Sequence, residues 1–119
     1  MRAFCLGLAL LLPGLASANT VCRFDTECFG TEACTESGFD MVISLPTGTR
    51  SITGALMAET DGGTYPGFVL KAGQAERTLF FDGETLRMMV TLVGDDARLS
   101  VHTVGDLRMV SYTGTCEAE

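Results

Sequence analysis

Cysteine is the residue type with the most chemical potential in this chain, and three cysteines are evenly spaced near its beginning. Cys22, Cys28 and Cys34 stand six positions apart, and Cys116 lies close to the end. Such residues can bind a metal, exchange electrons or form structural disulfides. A zinc site usually contains a close C-x2-C pair and a redox centre a C-x-x-C motif, and neither is present. Because His102 is the only histidine, a metal site of mixed cysteine and histidine ligands would have one histidine at most. We therefore predict disulfides and no metal site.

Four cysteines can pair in three ways, and the sequence leaves the choice open. We favour Cys28–Cys34 with Cys22–Cys116, because five residues that include Gly30 can form a tight loop between the first two. The second bridge would join the first and last strands of a closed sheet. In the loop-entropy model the long bridge is worth about 4.7 kcal/mol and the short bridge about 2 kcal/mol. The alternative pairing is Cys22–Cys34 with Cys28–Cys116.

Other residue types that support catalysis occur in patterns that favour structural roles. His102 has no nucleophile near it in a recognisable motif, and strand alternation points it away from the core. Acidic pairs suited to glycoside hydrolysis, at residues 82–84 and 95–96, fall in predicted hairpin turns, where acidic residues are common. Met88 and Met89 are adjacent on a predicted strand, so they face opposite sides and cannot bind copper together. We therefore predict no catalytic residue and no cofactor.

The stretch AETDGGTYPGF, residues 58–68, is the most promising binding loop. It combines two glycines, an acidic residue and an aromatic residue at a predicted hairpin tip beside a proline. Loop tips on a rigid scaffold are common binding sites, so Thr60, Asp61 and Tyr65 are the candidate ligand-binding or partner-binding residues. The structural alternative is that Tyr65 packs at the end of a barrel.

Alternation of apolar and polar residues dominates the chain from residue 39 onward. In FDMVISL, residues 39–45, every second side chain from Phe39 is large and apolar, which is the period of a half-buried strand. Turns rich in glycine and aspartate separate such stretches, and the Asp-Gly pair at 82–83 is a strong hairpin signal. The pattern predicts strands near residues 20–27, 39–45, 49–59, 64–71, 76–82, 85–93, 97–104 and 107–115.

These seven or eight strands with short connections predict an all-β antiparallel meander that closes into a disulfide-stapled barrel, with a two-layer sandwich as the alternative. Closure would also remove exposed sheet edges. A short helical turn is expected within residues 26–35, although Gly30 weakens it. Pro66 would place the fourth strand at an edge or in a bulge, since proline donates no ladder hydrogen bond.

The first eighteen residues predict export. They contain one positive charge, an apolar stretch and the triplet Ala16-Ser17-Ala18, which are the three regions of a secretory signal peptide. The apolar run is shorter than the roughly 20 residues of a membrane-spanning helix. We expect cleavage after Ala18, a periplasmic or secreted protein with no stable membrane anchor, and a single all-β domain over residues 19–119.

The charge of the chain is strongly acidic. With Arg2 removed by cleavage, 7 basic residues face 15 acidic ones, a net charge of −8. This balance argues against nucleic acid and anionic membrane surfaces as partners. It is compatible with a basic protein partner or a small ligand, or with solubility alone.

The general layout resembles small exported bacterial proteins of unknown function. It is also similar to the periplasmic inhibitors of C-type lysozyme, which are small β-barrels with a cysteine near each mature terminus. Their inhibitory loop ends in a tyrosine, as Thr60-Asp61-Gly62-Gly63-Thr64-Tyr65 does here. The family's serines and the basic residue before the tyrosine are missing, and so is its second motif of tyrosine and lysine before glycine. The resemblance implies an acidic module that opposes a basic enzyme.

Two functions follow from these expectations. The first is a non-enzymatic exported binding or inhibitory module that uses hairpin loops such as residues 60–67. The alternative is a hydrolase built on acidic turn residues. The sequence assembles no nucleophile, base or metal set, which favours the first function.

Overall fold

The computed structural model describes residues 19–44, 56–73 and 75–119, and these residues form eight antiparallel strands and no helix. Each strand pairs with the next, and the last pairs with the first, so the sheet closes into a barrel. This confirms the predicted meander barrel and excludes the sandwich. In chain order the strands are β1 (Asn19–Phe29), β2 (Thr35–Ser44), β3 (Leu56–Thr60), β4 (Gly63–Ala72), β5 (Glu76–Asp82), β6 (Leu86–Val93), β7 (Asp96–Thr103) and β8 (Met109–Ala118).

Three of the sequence predictions fall partly or wholly outside the described residues. They are the signal peptide (residues 1–18), the last residue of the predicted strand at 39–45 and the beginning of the predicted strand at 49–59. Among the described residues, no helix is long and apolar enough to span a membrane.

The hydrophobic core fills the inside of the barrel, where every second residue of each strand points. β6 shows the predicted alternation, since Met88, Val90 and Leu92 are buried whereas Met89 and Val93 are exposed. The buried apolar side chains are Cys22, Phe24, Met41, Ile43, Leu56, Ala58, Leu79, Phe81, Met88, Val90, Leu92, Ala97, Leu99, Val110 and Cys116.

The barrel closes along the ladder between β1 and β8, and a disulfide lies in this seam. Cys22 and Cys116 are directly opposite each other, with their Cα atoms 4.0 Å apart. The second bridge, Cys28–Cys34, spans the turn from β1 to β2. Both favoured pairings are therefore confirmed and the alternative pairing is excluded. Two disulfides indicate an oxidising environment outside the cytoplasm.

A β-bulge in β1 redirects the side chains beyond it. The pairing with β8 shifts between Phe24 and Thr26, which leaves Asp25 as the extra residue. After the shift Glu27 lies opposite Tyr112, and the Tyr112 hydroxyl donates a 2.9 Å hydrogen bond to Oε2 of Glu27. The bulge thus places a carboxylate beside the aromatic cluster of Phe24, Phe39 and Tyr112 inside the barrel.

The predicted helical turn within residues 26–35 is wrong. β1 continues to Phe29, because its ladder with β8 extends to the pair Phe29–Val110. Residues 30–32 form a turn, and β2 begins at Thr35. The Cys28–Cys34 bridge closes this hairpin, so the segment is a stapled β-turn.

The prediction for Pro66 is also wrong, because β4 is neither an edge strand nor bulged at the proline. β4 pairs with both β3 and β5. Pro66 lies opposite Met57 of β3, whereas the ladder with β5 begins at Gly67. Pro66, which has no N–H, therefore lies just outside the ladder with β5, where no hydrogen bond to β5 is required. The irregularity of β4 lies between Val69 and Lys71, where Leu70 is the extra residue.

Four of the turns meet at one end of the barrel, because consecutive hairpin connections of a meander alternate between its ends. They connect β1 to β2, β3 to β4, β5 to β6 and β7 to β8. We call this end the rim and define it as residues 29–34, 60–65, 82–87 and 103–109, which are the four turns and the strand ends beside them. The whole rim lies within the described residues.

Candidate functional site

The candidate residues Thr60, Asp61 and Tyr65 all lie at the rim, where β3 turns into β4. Thr60 ends β3, and its Oγ1 accepts a 3.0 Å hydrogen bond from the backbone N–H of Gly62. Asp61 is exposed at the tip of the turn. The structure therefore brings the three residues together on one hairpin.

Tyr65 bridges two neighbouring hairpins and packs against the core. It is half-buried. A Cβ added at Gly83 would lie 2.8 Å from Cδ1 of the Tyr65 ring, and one added at Gly62 would lie 3.3 Å from its hydroxyl. The ring thus covers the β5–β6 turn while the hydroxyl lies at the β3–β4 turn. This geometry supports a structural role for Tyr65, in which the side chain packs at the end of the barrel.

A groove of about 630 Å³ runs between these two hairpins. One wall is formed by the glycines of the β3–β4 turn and the other by the β5–β6 turn. Arg87 stands between them: its Nε lies 2.8 Å from Oδ1 of Asp82, and its guanidinium donates a 2.8 Å hydrogen bond to the carbonyl of Gly83. The groove therefore has fixed walls and little free positive charge.

Backbone hydrogen bonds join the remaining turns into one continuous rim. The N–H of Val104 donates to the carbonyl of Thr85 at 2.9 Å, which links the β7–β8 turn to the β5–β6 turn. The N–H of Gly30 donates to the carbonyl of Met109 at 3.3 Å, which links the β1–β2 turn to the β7–β8 turn. Together with Tyr65, these contacts connect all four hairpins.

The β7–β8 turn presents the most unusual residue of the rim. Leu107 is 86% exposed and has a φ of 53°, the only non-glycine residue with positive φ among the described residues. Positive φ is uncommon for residues other than glycine, asparagine and aspartate. Strained backbone conformations persist only where surrounding contacts hold them, and they concentrate at functional sites.

Contacts of Thr103 hold this turn in place. Its Oγ1 donates to Oδ1 of Asp106 at 2.6 Å and accepts from the N–H of Arg108 at 3.0 Å. The guanidinium of Arg108 lies 3.2 Å from Oδ2 of Asp106. The hydrogen bond from Thr103, aided by the charge of Arg108, holds the pKa of the Asp106 carboxyl below its usual value. The turn is therefore cross-linked on both sides of Leu107.

Further apolar side chains surround Leu107. Val104 and Met109 are exposed in the same hairpin, and Phe29 is exposed on the adjoining stapled turn. A groove of about 720 Å³ lies between the two turns, and Phe29, Leu107 and Met109 contribute to its lining. Phenylalanine and methionine are enriched at the centres of protein interfaces, so Phe29 and Met109 beside the protruding Leu107 make this surface suited to contact with another protein.

The charges of the rim are predominantly negative. Each arginine there, Arg87 and Arg108, is paired with an aspartate. Three further carboxylates have no ion pair with another described residue; they are Glu32, Asp61 and Glu84. The rim therefore presents apolar groups surrounded by an excess of negative charge.

The other sequence candidates do not assemble into a site. The acidic pairs at 82–84 and 95–96 lie at opposite ends of β6, an eight-residue strand, and thus roughly 26 Å apart. His102 is exposed on β7, as predicted. Within residues 19–44, 56–73 and 75–119, no group of three or more histidine, cysteine, aspartate or glutamate residues could hold a metal ion.

A cavity of about 210 Å³ lies at the end opposite the rim. Inward-facing side chains of β1 to β6 line it, and Arg77 is the only charged residue among the described lining residues. Residues 45–55, which connect two of these strands, lie outside the described part of the chain. For this reason we centre the candidate site on the rim.

Leu107 is the main residue of the candidate site that the sequence did not reveal. Its turn is visible as Gly105-Asp106, but an apolar residue after a turn normally begins the next strand. The sequence signal that could have indicated its exposure is that Leu107 stands between two charged residues, Asp106 and Arg108. Only the observed backbone shows that Leu107 belongs to the turn and points outward.

Comparisons with known proteins add no assignment. No protein-family model matches the chain, and no curated protein or solved structure is significantly similar to it.

Proposed function

We propose that this protein is a non-enzymatic binding or inhibitory module that acts in the periplasm or outside the cell. Its rim docks onto a basic protein. The observation that carries this proposal is the outward position of Leu107 at positive φ in a turn cross-linked by Thr103, Asp106 and Arg108. A contact residue held in one conformation loses little entropy on binding, which raises affinity.

The chemistry of the rim defines the kind of partner. Leu107, Met109 and Phe29 would enter an apolar depression, and the surrounding carboxylates would meet lysine or arginine side chains. Complementary charge accelerates encounter and selects the orientation. The resemblance to inhibitors of C-type lysozyme is consistent with such a basic partner, although here the anchor lies on the β7–β8 turn and not at Tyr65.

The test compares three oxidised proteins immobilised as baits: the wild type, Leu107→Ser and the control Val93→Ser. Val93 is an exposed apolar residue at the far end of β6. Each bait is exposed to a periplasmic extract and, separately, to C-type lysozyme, and the retained protein is quantified. Burying a leucine is worth about 1.5–3 kcal/mol, so we expect Leu107→Ser to lower the affinity at least tenfold. Equal capture by Leu107→Ser and the wild type would contradict the proposal.

Tyr65, the candidate residue on the β3–β4 hairpin, provides a second comparison. If Tyr65 acts only by bridging the two turns, Tyr65→Phe should bind the captured partner as the wild type does, because the ring still covers Gly83. A loss as large as that of Leu107→Ser would move the binding site to residues 60–65.

A further inference from the structure

The cavity of about 210 Å³ at the end opposite the rim reaches from the solvent into the apolar interior of the barrel. Its inner part is formed by the buried side chains of Ile43, Leu56, Leu79 and Leu92. Val69 also points inward, since it pairs with Leu79, yet it is 41% exposed. An eight-stranded barrel is just wide enough to be filled by side chains or to hold one small ligand. The exposure of an inward valine shows that side chains do not fill this end completely.

A single positive charge stands at the mouth of the cavity. Arg77 pairs with Ala72 of β4 and with Leu92 of β6, so strand alternation gives it an inward position on β5. It forms no ion pair with another described residue. Glu76, the adjacent acid on β5, is paired with Lys71 at 3.8 Å. Among the described lining residues, the mouth therefore contains one guanidinium and no carboxylate.

The bulge of β4 leaves room in front of this guanidinium. One extra residue lies between Val69 and Lys71. Without it, alternation would turn Lys71 inward as the second residue after Val69. With it, Lys71 pairs with an outward residue of β5, and the small Ala72 comes to lie opposite Arg77. Bulges commonly redirect side chains beside binding sites, and here the bulge keeps a long side chain out of the mouth.

We propose that this cavity binds a small straight-chain carboxylic acid. The hydrocarbon chain would lie against Val69, Leu79 and Leu92, and the carboxylate would accept hydrogen bonds from the guanidinium of Arg77. A guanidinium and a carboxylate can pair through two parallel hydrogen bonds. Apolar walls with a few polar groups that fix the orientation are the usual construction of a small-molecule site.

The volume of the cavity sets the length of the chain. A dry apolar cavity of roughly 150 Å³ binds benzene. A cavity of about 210 Å³ therefore has room for a chain of roughly six to eight carbons. The ligand would not compete with a partner at the rim, because the two sites lie at opposite ends of the barrel.

The test is isothermal titration calorimetry of the oxidised protein with butanoate, hexanoate, octanoate and decanoate. We expect one molecule bound per chain, with an affinity that rises about fourfold for each added methylene up to about eight carbons. Beyond that length the affinity should level off or fall, because the cavity is filled. 1-Octanol has the same chain without the carboxylate and should bind at least tenfold more weakly than octanoate.

Variants at the mouth separate the contribution of charge from that of space. Arg77→Gln should weaken octanoate binding at least tenfold and leave octanol binding unchanged. Arg98→Gln is the matched control, since it removes the same charge from an exposed outward position on β7, and it should bind octanoate like the wild type. Val69→Phe narrows the cavity and should weaken both ligands. If Val69→Phe lowers the thermal stability, Ala72→Leu provides a second variant that narrows the mouth.

Three results would overturn the proposal. The first is the absence of octanoate binding up to about 5 mM. The second is equal octanoate binding by Arg77→Gln and the wild type, because the carboxylate would then not meet the guanidinium. The third is binding that Val69→Phe retains and that Met89→Ser abolishes, since Met89 lies on the outer surface of β6. That result would assign the ligand to the outside of the barrel.

Discussion

Two opposite parts of the barrel surface have the same construction inside and different chemistry outside. On β4, β5 and β6 the outward residues Phe68, Phe80 and Met89 lie side by side, and we call this row the apolar wall. The charged side chains near its two ends form the ion pairs Lys71–Glu76 and Arg87–Asp82. On β1, β2 and β8 the outward residues are mostly polar and four of the five charged ones are acidic, and we call this surface the acidic wall. Its charged side chains are Arg23, Asp25, Glu36, Asp40 and Glu117.

The difference shows how each part of the sheet is held together. Across β4 to β6, apolar cross-strand pairs such as Phe68–Phe80 add stability on the outer face. On the acidic wall the outward pairs are smaller: Val21 lies opposite Val42, and Arg23 lies opposite Asp40. This wall contains the Cys22–Cys116 disulfide on its inner side, where a covalent bond joins β1 to β8.

The largest effect should come from the seam disulfide. The double variant Cys22→Ala, Cys116→Ala removes a bridge between residues 94 positions apart, and the loop-entropy model gives a loss of about 4.7 kcal/mol in the free energy of unfolding. Urea denaturation measures it. The matched variant Cys28→Ala, Cys34→Ala opens a loop of only six positions and should lose about 2 kcal/mol. Equal losses would show that strand pairing alone holds the acidic wall.

An intermediate effect is expected at two glycines where strands approach closely. A Cβ at Gly114, beneath the acidic wall, would lie 2.6 Å from Cα of Phe24 and would overlap the carbonyl oxygen of Arg23. One at Gly67 would overlap the carbonyl oxygen of Phe80. Because both obstacles are backbone atoms, Gly114→Ala and Gly67→Ala should each cost about 3 kcal/mol, measured by urea denaturation.

Gly38 provides the control for this pair. A Cβ there would meet no atom within 4 Å, so Gly38→Ala should change the free energy of unfolding by less than about 0.5 kcal/mol. A tolerated alanine at Gly114 but not at Gly67 would mean that the β1–β8 seam can adjust where the β4–β5 ladder cannot.

The smallest effect concerns Tyr112, on the inner side of β8. Burial, the hydrogen bond to Glu27 and the charge of Glu27 raise its pKa to about 12 from an ordinary value of 10.0. The folded state therefore favours the neutral phenol. This contribution to stability is complete below pH 10 and is lost as the pH rises from 10 through 12. Near neutral pH, Tyr112→Phe should cost about 1 kcal/mol for the lost hydrogen bond.

Absorbance of tyrosinate in the Tyr65→Phe variant, which keeps Tyr112 as its single tyrosine, measures this titration directly. Thermal melts of the wild type and Tyr112→Phe between pH 9 and pH 12 should converge as the phenol ionises. A midpoint near pH 10 would contradict the part-buried hydrogen bond to Glu27.

The sequence favoured the barrel and its two disulfides, because inward alternation, turn residues and cysteine count are local signals. It left the sandwich and another cysteine pairing open, because sheet closure and disulfide pairing depend on contacts between distant residues. The strand over residues 76–82 was predicted at its observed bounds, and both disulfides were predicted correctly. The helical turn was wrong because the long-range ladder of β1 with β8 overrides local propensity. Pro66 was misassigned because proline's position within the two ladders depends on register.

The candidate site was predictable only in part. Thr60, Asp61 and Tyr65 were placed correctly at a hairpin tip, and Tyr65 proved to be a bridge between turns. Leu107 was not predicted as a site residue, because its exposure follows from a positive φ that no residue pattern encodes. The apolar wall was not predicted either, because Phe68, Phe80 and Met89 are distant in sequence. They become neighbours only through the register of β4, β5 and β6.

The claim that the rim is a preorganised docking surface can be tested without a partner. Backbone ¹⁵N relaxation of the oxidised protein gives order parameters for residues 104–108 and for the strands. We predict values near 0.85 in the β7–β8 turn, equal to those of β7 and β8, because Thr103 cross-links the turn. Order parameters below about 0.6 would show that Leu107 samples many conformations. They would contradict the proposed function, which requires Leu107 to be held in one conformation.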